Sequence, residues 1–279
     1  MDRARSIGND AGQLLLSTAY RKQSFLCVSL DLPTAELVVH ALKALHPVIC
    51  AAKLHADALP DLTHDHLEDI QRIAREHHVV LIEDRKFSDI GHTVRAQYCN
   101  GPHRIITWAH LVTVHSIAGL DAVNALCAAA DEYTHAVVGT PSPRGCLLVA
   151  ELSCHGNLIS PEYTQTTLDM LVDTQGHRHP FVAGFIASKR LALPAGVDAV
   201  FMTPGVHLQS SGDAHGQQYR DVDQVMHAGA SDIIIVGRGV LGSFAQDLDA
   251  AQLVQRAVEY KNQAWNAFLR RNASTASTC

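Results

Sequence analysis

The stretch LIEDRKFSDIGHTV, Leu81 to Val94, begins as an apolar run and within two residues becomes Glu83, Asp84, Arg85 and Lys86, with Asp89 three positions further on. Side chains alternate along an extended strand, so Asp84 and Lys86 fall on one side and Glu83 and Arg85 on the other. A carboxylate and an ammonium packed together hold each other in the charged form. An ammonium held in that way is a poor nucleophile; it suits stabilising a developing carbanion and then giving it a proton. Lys53, at the end of VICAAKLH (48–55), could join this group by binding a substrate hydroxyl and ordering the carboxylates. His55 beside it reads as a core or supporting residue ahead of a catalyst. Asp89 opens the pattern DIGHTVRAQY, and on spacing alone a helix N-cap and a member of the charged group are equal readings.

Such residues need a frame. Short apolar or β-branched runs alternate with amphipathic stretches: FLCVSLDL (25–32), VICAAKLH, VVLIEDRK (79–86), HLVTVHS (110–116), CLLVAELS (146–153), FVAGFI (181–186), DAVFMTPGV (198–206) and DIIIVGRG (232–239). Between them lie helical patterns, among them TAELVVHALKAL, DHLEDIQRIAREHH, GLDAVNALCAAADEY, EYTQTTLDMLVDT and RDVDQVMHAGA, with a last helix from Ala250 to Arg271. Continuously apolar strands are buried on both faces, as in a parallel sheet covered by helices. The repeated unit points to an α/β fold, a single-domain (β/α)8 TIM barrel over 21–272, with a helical extension at 1–20 and a flexible tail at 273–279. An open doubly wound sheet is the competing arrangement.

In a barrel the C-terminal ends of the strands converge on one rim. They would bring together Ser29 and Asp31, Lys53 and His55, Asp84 and Lys86, His115 and Ser153. The TPGV turn and the Gly-containing stretch TPGVHLQSSGDAHGQQYR follow strand seven, and GRG follows strand eight. Phosphate is commonly held at that place by backbone amides at a short helix start and a guanidinium. Gly237 and Gly239 would allow close approach and Arg238 would supply charge, although GRG is also an ordinary turn.

The chain of 279 residues is 47% hydrophobic with net charge −6, and it has no basic block to advertise nucleic acid or anionic membrane. Its N-terminus holds only a three-residue apolar run, and no window is long and apolar enough for a membrane span, so a cytoplasmic protein is expected. Seven cysteines without CxxC spacing read as reduced thiols, mostly in core segments.

EDRKFSDIGHTV closely resembles the signature of the orotidine 5'-monophosphate decarboxylase family. LCVSLD, KLHAD, LLVAELSCHG, FVAGFI, MTPGVHL, GDAHGQQYR and SDIIIVGRG follow in the family's order over about residues 20 to 272. The likeness is to the eukaryotic branch. It implies a homodimeric (β/α)8 barrel that converts orotidine monophosphate to uridine monophosphate and carbon dioxide with no cofactor and no metal. By position it implies a charged tetrad of Lys53, Asp84, Lys86 and Asp89, with Asp89 and Thr93 presented to the neighbouring subunit's site. It assigns Asp31 to ribose, Ser29 and Ser153 to the base, Pro204 to the substrate-binding turn, and Gln217, Tyr219, Gly237 and Arg238 to phosphate. The 206–219 loop would close over that phosphate. His92, Cys154 and His155 depart from the usual family residues.

Two other enzyme chemistries share features of this pattern. A sugar-phosphate branch of the superfamily has the same DxKxxD spacing and uses a divalent metal, but a carboxylate ligand then stands where Lys53 is, and a hard cation wants oxygen ligands. A Schiff-base lysine needs desolvation or neighbouring cations, whereas Lys86 has carboxylates beside it.

Overall fold

The structure is a computed structural model, describing residues 2–137, 139, 141–208, 220–242 and 249–276. Eight strands, β1 (Leu26–Ser29), β2 (Ala51–Leu54), β3 (Val80–Phe87), β4 (Leu111–Val114), β5 (Gly145–Val149), β6 (Val182–Ile186), β7 (Val200–Thr203) and β8 (Ile233–Val236), close into a barrel. Each strand pairs in parallel with its neighbours, and β1 meets both β2 and β8. The (β/α)8 expectation holds and the open sheet does not. All strands except β3 are buried end to end, as largely apolar runs covered on both faces require, with Ser29, Lys53, Thr113 and Thr203 the buried polar residues among them.

The helices lie outside and turn their apolar stripes inward. In α3 (Ala35–Leu45) the side chain of Thr34 accepts from the Leu37 amide, and Val38, Ala41, Leu42 and Leu45 are buried. Helix α4 (His64–Glu76) opens with a capping box between Thr63 and His66 and buries Leu67, Ile70, Ile73 and Ala74. Helix α5 (Gly91–Cys99) follows β3, α6 (Leu120–Ala136) follows β4 and α7 (Pro161–Asp169) follows β5. No helix forms between residues 187 and 199, where the sequence shows no apolar face.

Two helical readings change. RDVDQVMHAGA begins with a two-residue strand, Arg220–Asp221, and is helical only from 222, as a π-helix at Gln224–Ala228. The last helix, α9 (Ala250–Ala276), runs past Arg271, so residues 273–276 of the expected tail continue it.

The opposite end of the barrel is closed by α1 (Asp2–Ser6) and α2 (Asp10–Lys22). Arg3 pairs with Asp198 and with fully buried Asp232 below β7 and β8, and Arg190 binds the same two carboxylates. Asn9 caps α2 through its Oδ1 and donates from Nδ2 to the carbonyls of Arg144 and Pro180 at 3.0 and 2.8 Å. The other end is the rim carrying the βα loops, where ligands bind in barrels of this kind.

Candidate active site

The C-terminal rim surrounds a cavity of about 680 Å³. Its floor is apolar, with Ile82, Leu147, Val149, Ile186 and Ile235, and its wall carries Ser29, Asp31, Lys53, Asp84, Lys86, Thr113, Ser153, Pro204, Gly237 and Arg238. The register explains part of this convergence: Ser29 is level with Lys53 across β1 and β2, and Leu54 with Glu83 across β2 and β3.

Beyond Glu83 the β3 ladder is irregular. Pairing with β4 shifts register between Glu83 and Phe87, and Lys86 sits in the left-handed region at φ 51°. A non-glycine residue held there is strained backbone, maintained by its surroundings. The Lys86 amide, displaced from the ladder, donates to Thr113 Oγ1 at 3.0 Å, and that hydroxyl donates to Asp84 Oδ1 at 2.7 Å. Thr113 therefore anchors both the bulge and the carboxylate. Thr113 is not among the residues expected at the rim, because a β-branched residue in an apolar run reads as core, whereas the expected His115 follows β4 and does not line the cavity.

Asp84 is the hub. Its Oδ2 lies 2.6 Å from Lys53 Nζ, 2.9 Å from Lys86 Nζ and 3.0 Å from His55 Nε2. Burial would raise its pKa, but Lys53, His55 and Lys86 overcome that and hold the carboxyl well below its ordinary value. At the mouth, Asp31 accepts from Ser29 Oγ at 2.7 Å and lies 2.7 Å from His55 Nδ1. Burial again works upward, yet the bonds from His55 and Ser29 and the charge of Lys53 bring Asp31 down to about 2. His55 shows the converse: desolvation would lower it, and hydrogen bonds to Asp31 and Asp84 raise it to about 9.

His55 is thus a third cation at neutral pH, and cations outnumber the carboxylates Asp31 and Asp84 by one. A site of that charge favours an anionic ligand. Both lysines line the cavity but differ in access: Lys53 is 8% exposed and Lys86 38%, so Lys86 is the more open of the two ammonium groups. The alternation expected along LIEDRKF also holds. Glu83 is fully buried on the outer side, while Arg85 reaches toward Asp57 at 3.8 Å and over the Phe87 ring.

Gly237 caps the one-turn helix α8 (Arg238–Leu241). The first intrahelical bonds run from Val240 and Leu241 to the Gly237 carbonyl, so the amides of Arg238 and Gly239 lie ahead of them. Gly239 lines the cavity beside Gly237 and Arg238, and a Cβ there would also meet the Tyr260 hydroxyl at 2.1 Å. Packing of α9 requires that glycine. Gly205 in the TPGV turn has φ +70° and needs the freedom of glycine. The following Val206–His207 pairs with Arg220–Asp221. Gln217 and Tyr219, with 209–219 of the expected closing loop, lie outside the described residues.

Asp89 and Thr93 do not line this cavity. Asp89 is exposed and does not cap α5: Ile90 is the N-cap, and the Asp89 carboxylate accepts from the adjacent Ile90 amide at 2.7 Å. Thr93 stands in the first turn of α5.

Among the described residues no group of three or more His, Cys, Asp or Glu side chains could hold a metal ion, and no helix is long and apolar enough to cross a membrane. The described cysteines are free; Cys27, Cys50 and Cys146 are buried, whereas Cys154 is exposed at the cavity.

Residues 24–254 match the model of the orotidine 5'-phosphate decarboxylase / HUMPS family. Orotidine 5'-phosphate decarboxylase of Saccharomyces cerevisiae is 40% identical over 272 residues, covering 97% of this chain and 96% of that protein. Its counterpart from Rhizopus oryzae is 36% identical, covering 98% and 96%. Among solved structures, orotidine 5'-monophosphate decarboxylase of Methanocaldococcus jannaschii in complex with the inhibitor BMP superposes with a TM-score of 0.60 at 19% identity, covering 86% of this chain and 97% of that one. The enzyme from Pyrococcus horikoshii gives 0.58 at 20% identity, covering 86% and 98%. These last two likenesses concern the fold.

Proposed function

The chain belongs to the orotidine 5'-phosphate decarboxylase / HUMPS family, and on that premise we propose that it is an orotidine 5'-phosphate decarboxylase, a carbon–carbon lyase of pyrimidine biosynthesis that makes uridine monophosphate. The observation that carries the reading is one largely buried carboxylate, Asp84, gripped by Lys53, His55 and Lys86 in the wall of a cavity whose floor is apolar. The catalytic unit is the barrel over 21–272.

Loss of carbon dioxide breaks the C6–carboxylate bond of the pyrimidine and leaves its electron pair on an sp² carbon with no adjacent carbonyl to accept it. Fixed positive charge must therefore stand at that carbon before the bond breaks. Lys86 supplies it, donates a proton to C6 and recovers a proton from solvent. Asp84 holds the ammonium and stands close to the departing carboxylate. A like-charge contact at about 4 Å in an effective dielectric of about 20 is worth about 4 kcal/mol. That corresponds to about three decades of rate, a partial contribution to so slow a reaction. The remainder falls to field stabilisation of the carbanion and to binding energy from the phosphate end.

Asp31 and Lys53 serve the ribose, Ser29 and Ser153 the base, Pro204 the loop wall, and Gly237 and Arg238 the phosphate, together with Gln217 and Tyr219. The reaction needs no metal or cofactor on this reading: the carboxylate a divalent cation would want is already taken by three cations.

Asp89 and Thr93 act in a partner's site within a homodimer. In support, Ile90 and Ile117 are 69% and 72% exposed, and Leu120 at the start of α6 is partly exposed too. Free thiols fit a cytoplasmic setting. The small-molecule substrate is the only other partner required.

The test is to mix EDTA-treated protein with orotidine monophosphate and follow its ultraviolet absorbance, with Lys86→Ala alongside. Conversion by the native protein and near silence in a folded variant support the reaction and the donor. Lack of conversion by folded native protein refutes the reading. Mixing inactive Lys86→Ala with inactive Asp89→Ala should restore activity, since each hybrid dimer regains one intact site; no recovery despite subunit exchange rejects the shared site.

A further inference from the structure

Glu83 is fully buried behind β3, outside the cavity, and the chemistry above does not use it. The β2–β3 ladder stops at the pair Leu54 and Glu83, where β3 bulges toward Lys86. Past that point two backbone amides turn to side chains. Lys86 donates to Thr113, and Ala56 donates to both carboxyl oxygens of Glu83, at 3.2 and 3.1 Å. A buried amide needs a partner, and at a bulge the ladder cannot supply one.

Ala56 opens the 3-10 turn Ala56–Ala58 directly after His55. That histidine bridges Asp31 and Asp84 and stands 3.4 Å from Lys53 Nζ and 3.5 Å from Lys86 Nζ. A shift of the Ala56 amide therefore moves the imidazole against all four groups. We propose that Glu83 is a positioning residue whose carboxyl, by holding the Ala56 amide, fixes the His55 peptide and couples the β2 arm of the charged cluster to its β3 arm. The carboxyl suits this task because it is more nearly neutral than charged. Burial pushes it to about 8 against the pull of the Ala56 amide and His55, so it can sit beside Asp84 with little added repulsion. Asp57, Arg85 and His103 face it across a cavity of about 140 Å³ on the outer side of the rim.

The assignment rests on the decarboxylase reading for its rate measurement and on the fold alone for its titration measurement. Glu83→Leu keeps bulk and removes the acceptor; Glu83→Gln keeps an acceptor oxygen. The imidazole signal of His55, identified by its loss in His55→Gln, is titrated by NMR in each protein. In Glu83→Leu its midpoint should fall from about 9 toward the ordinary 6.5, and kcat should fall roughly tenfold through misplacement. Glu83→Gln should keep most of both. A folded Glu83→Leu with native titration and rate overturns the proposal, as does a Glu83→Gln equally impaired. If Glu83→Leu does not fold, Ala56→Pro deletes the donor instead, at the first position of the 3-10 turn, where a proline ring is best tolerated. The same two losses are expected there, and their absence overturns the proposal. Native protein that does not turn over orotidine monophosphate ends the decarboxylase reading, while the His55 titration still decides the role of Glu83.

Discussion

Replacing Asp84 by asparagine removes the single carboxylate that Lys53, Lys86 and His55 share, whereas Lys53→Met removes one of its three cations. The Lys53 contact spans 2.6 Å, which corresponds to about 6 kcal/mol at an effective dielectric of about 20. Desolvation and side-chain ordering oppose that attraction, so losing one partner of a buried pair is expected at about 3 to 5 kcal/mol. The two changes should not be equivalent. Without Lys53, Asp84 keeps Lys86, His55 and the Thr113 hydroxyl, and a loss of about 1 to 2 kcal/mol is expected. Without Asp84, Lys53 and Lys86 lie 3.4 and 3.5 Å from His55 with their common counterion gone, so the full loss applies. The double variant relieves one of those repulsions and should be more stable than Asp84→Asn alone, giving a coupling of about 2 kcal/mol. Urea unfolding of the four proteins at neutral pH, followed by circular dichroism with matching m-values, measures this directly. Losses that add within about 0.5 kcal/mol would refute a shared-carboxylate cluster.

Because His55 is raised to about 9 by Asp31 and Asp84, its positive charge is present below that value and lost above it. The kcat/KM profile should fall above about pH 9, and Asp31→Asn should move that limb to lower pH; an unmoved limb assigns it elsewhere. Glu83 is held at about 8 in the folded chain against about 4.5 for a glutamate in water, so the folded state binds the extra proton between those values. Its stabilising effect is complete below about 4.5 and lost as pH rises through about 8, at a slope of roughly 1.4 kcal/mol per pH unit at most. Urea titrations at pH 5 and pH 8 should show that slope in the native protein and a flatter one in Glu83→Gln. Gly184→Ala should prevent soluble folding, since a Cβ there would lie 1.9 Å from the Val200 carbonyl oxygen in β7. The expected destabilisation exceeds about 4 kcal/mol, and a melting temperature within a few degrees of native contradicts the close approach.

The amino-acid sequence by itself determined the barrel and most of the rim. Burial on both strand faces writes continuous apolar runs, and strand alternation separates Asp84 and Lys86 from Glu83 and Arg85, so both are local properties of the chain. Asp89 shows where local reading ends: spacing made a cap and a catalytic group equal, and the fold puts Ile90 at the cap and leaves Asp89 at the surface. Gly239 shows it again, because the atom that demands a glycine there belongs to Tyr260, far along the chain in α9. Only the tertiary structure decided that His55 carries charge. Its pKa depends on Asp31 from β1 and Asp84 from β3 meeting at one imidazole, and no pattern along a single strand encodes that meeting. The bulge at Lys86 belongs to the same class, since its amide is satisfied by a Thr113 hydroxyl that only closure of the barrel brings within reach.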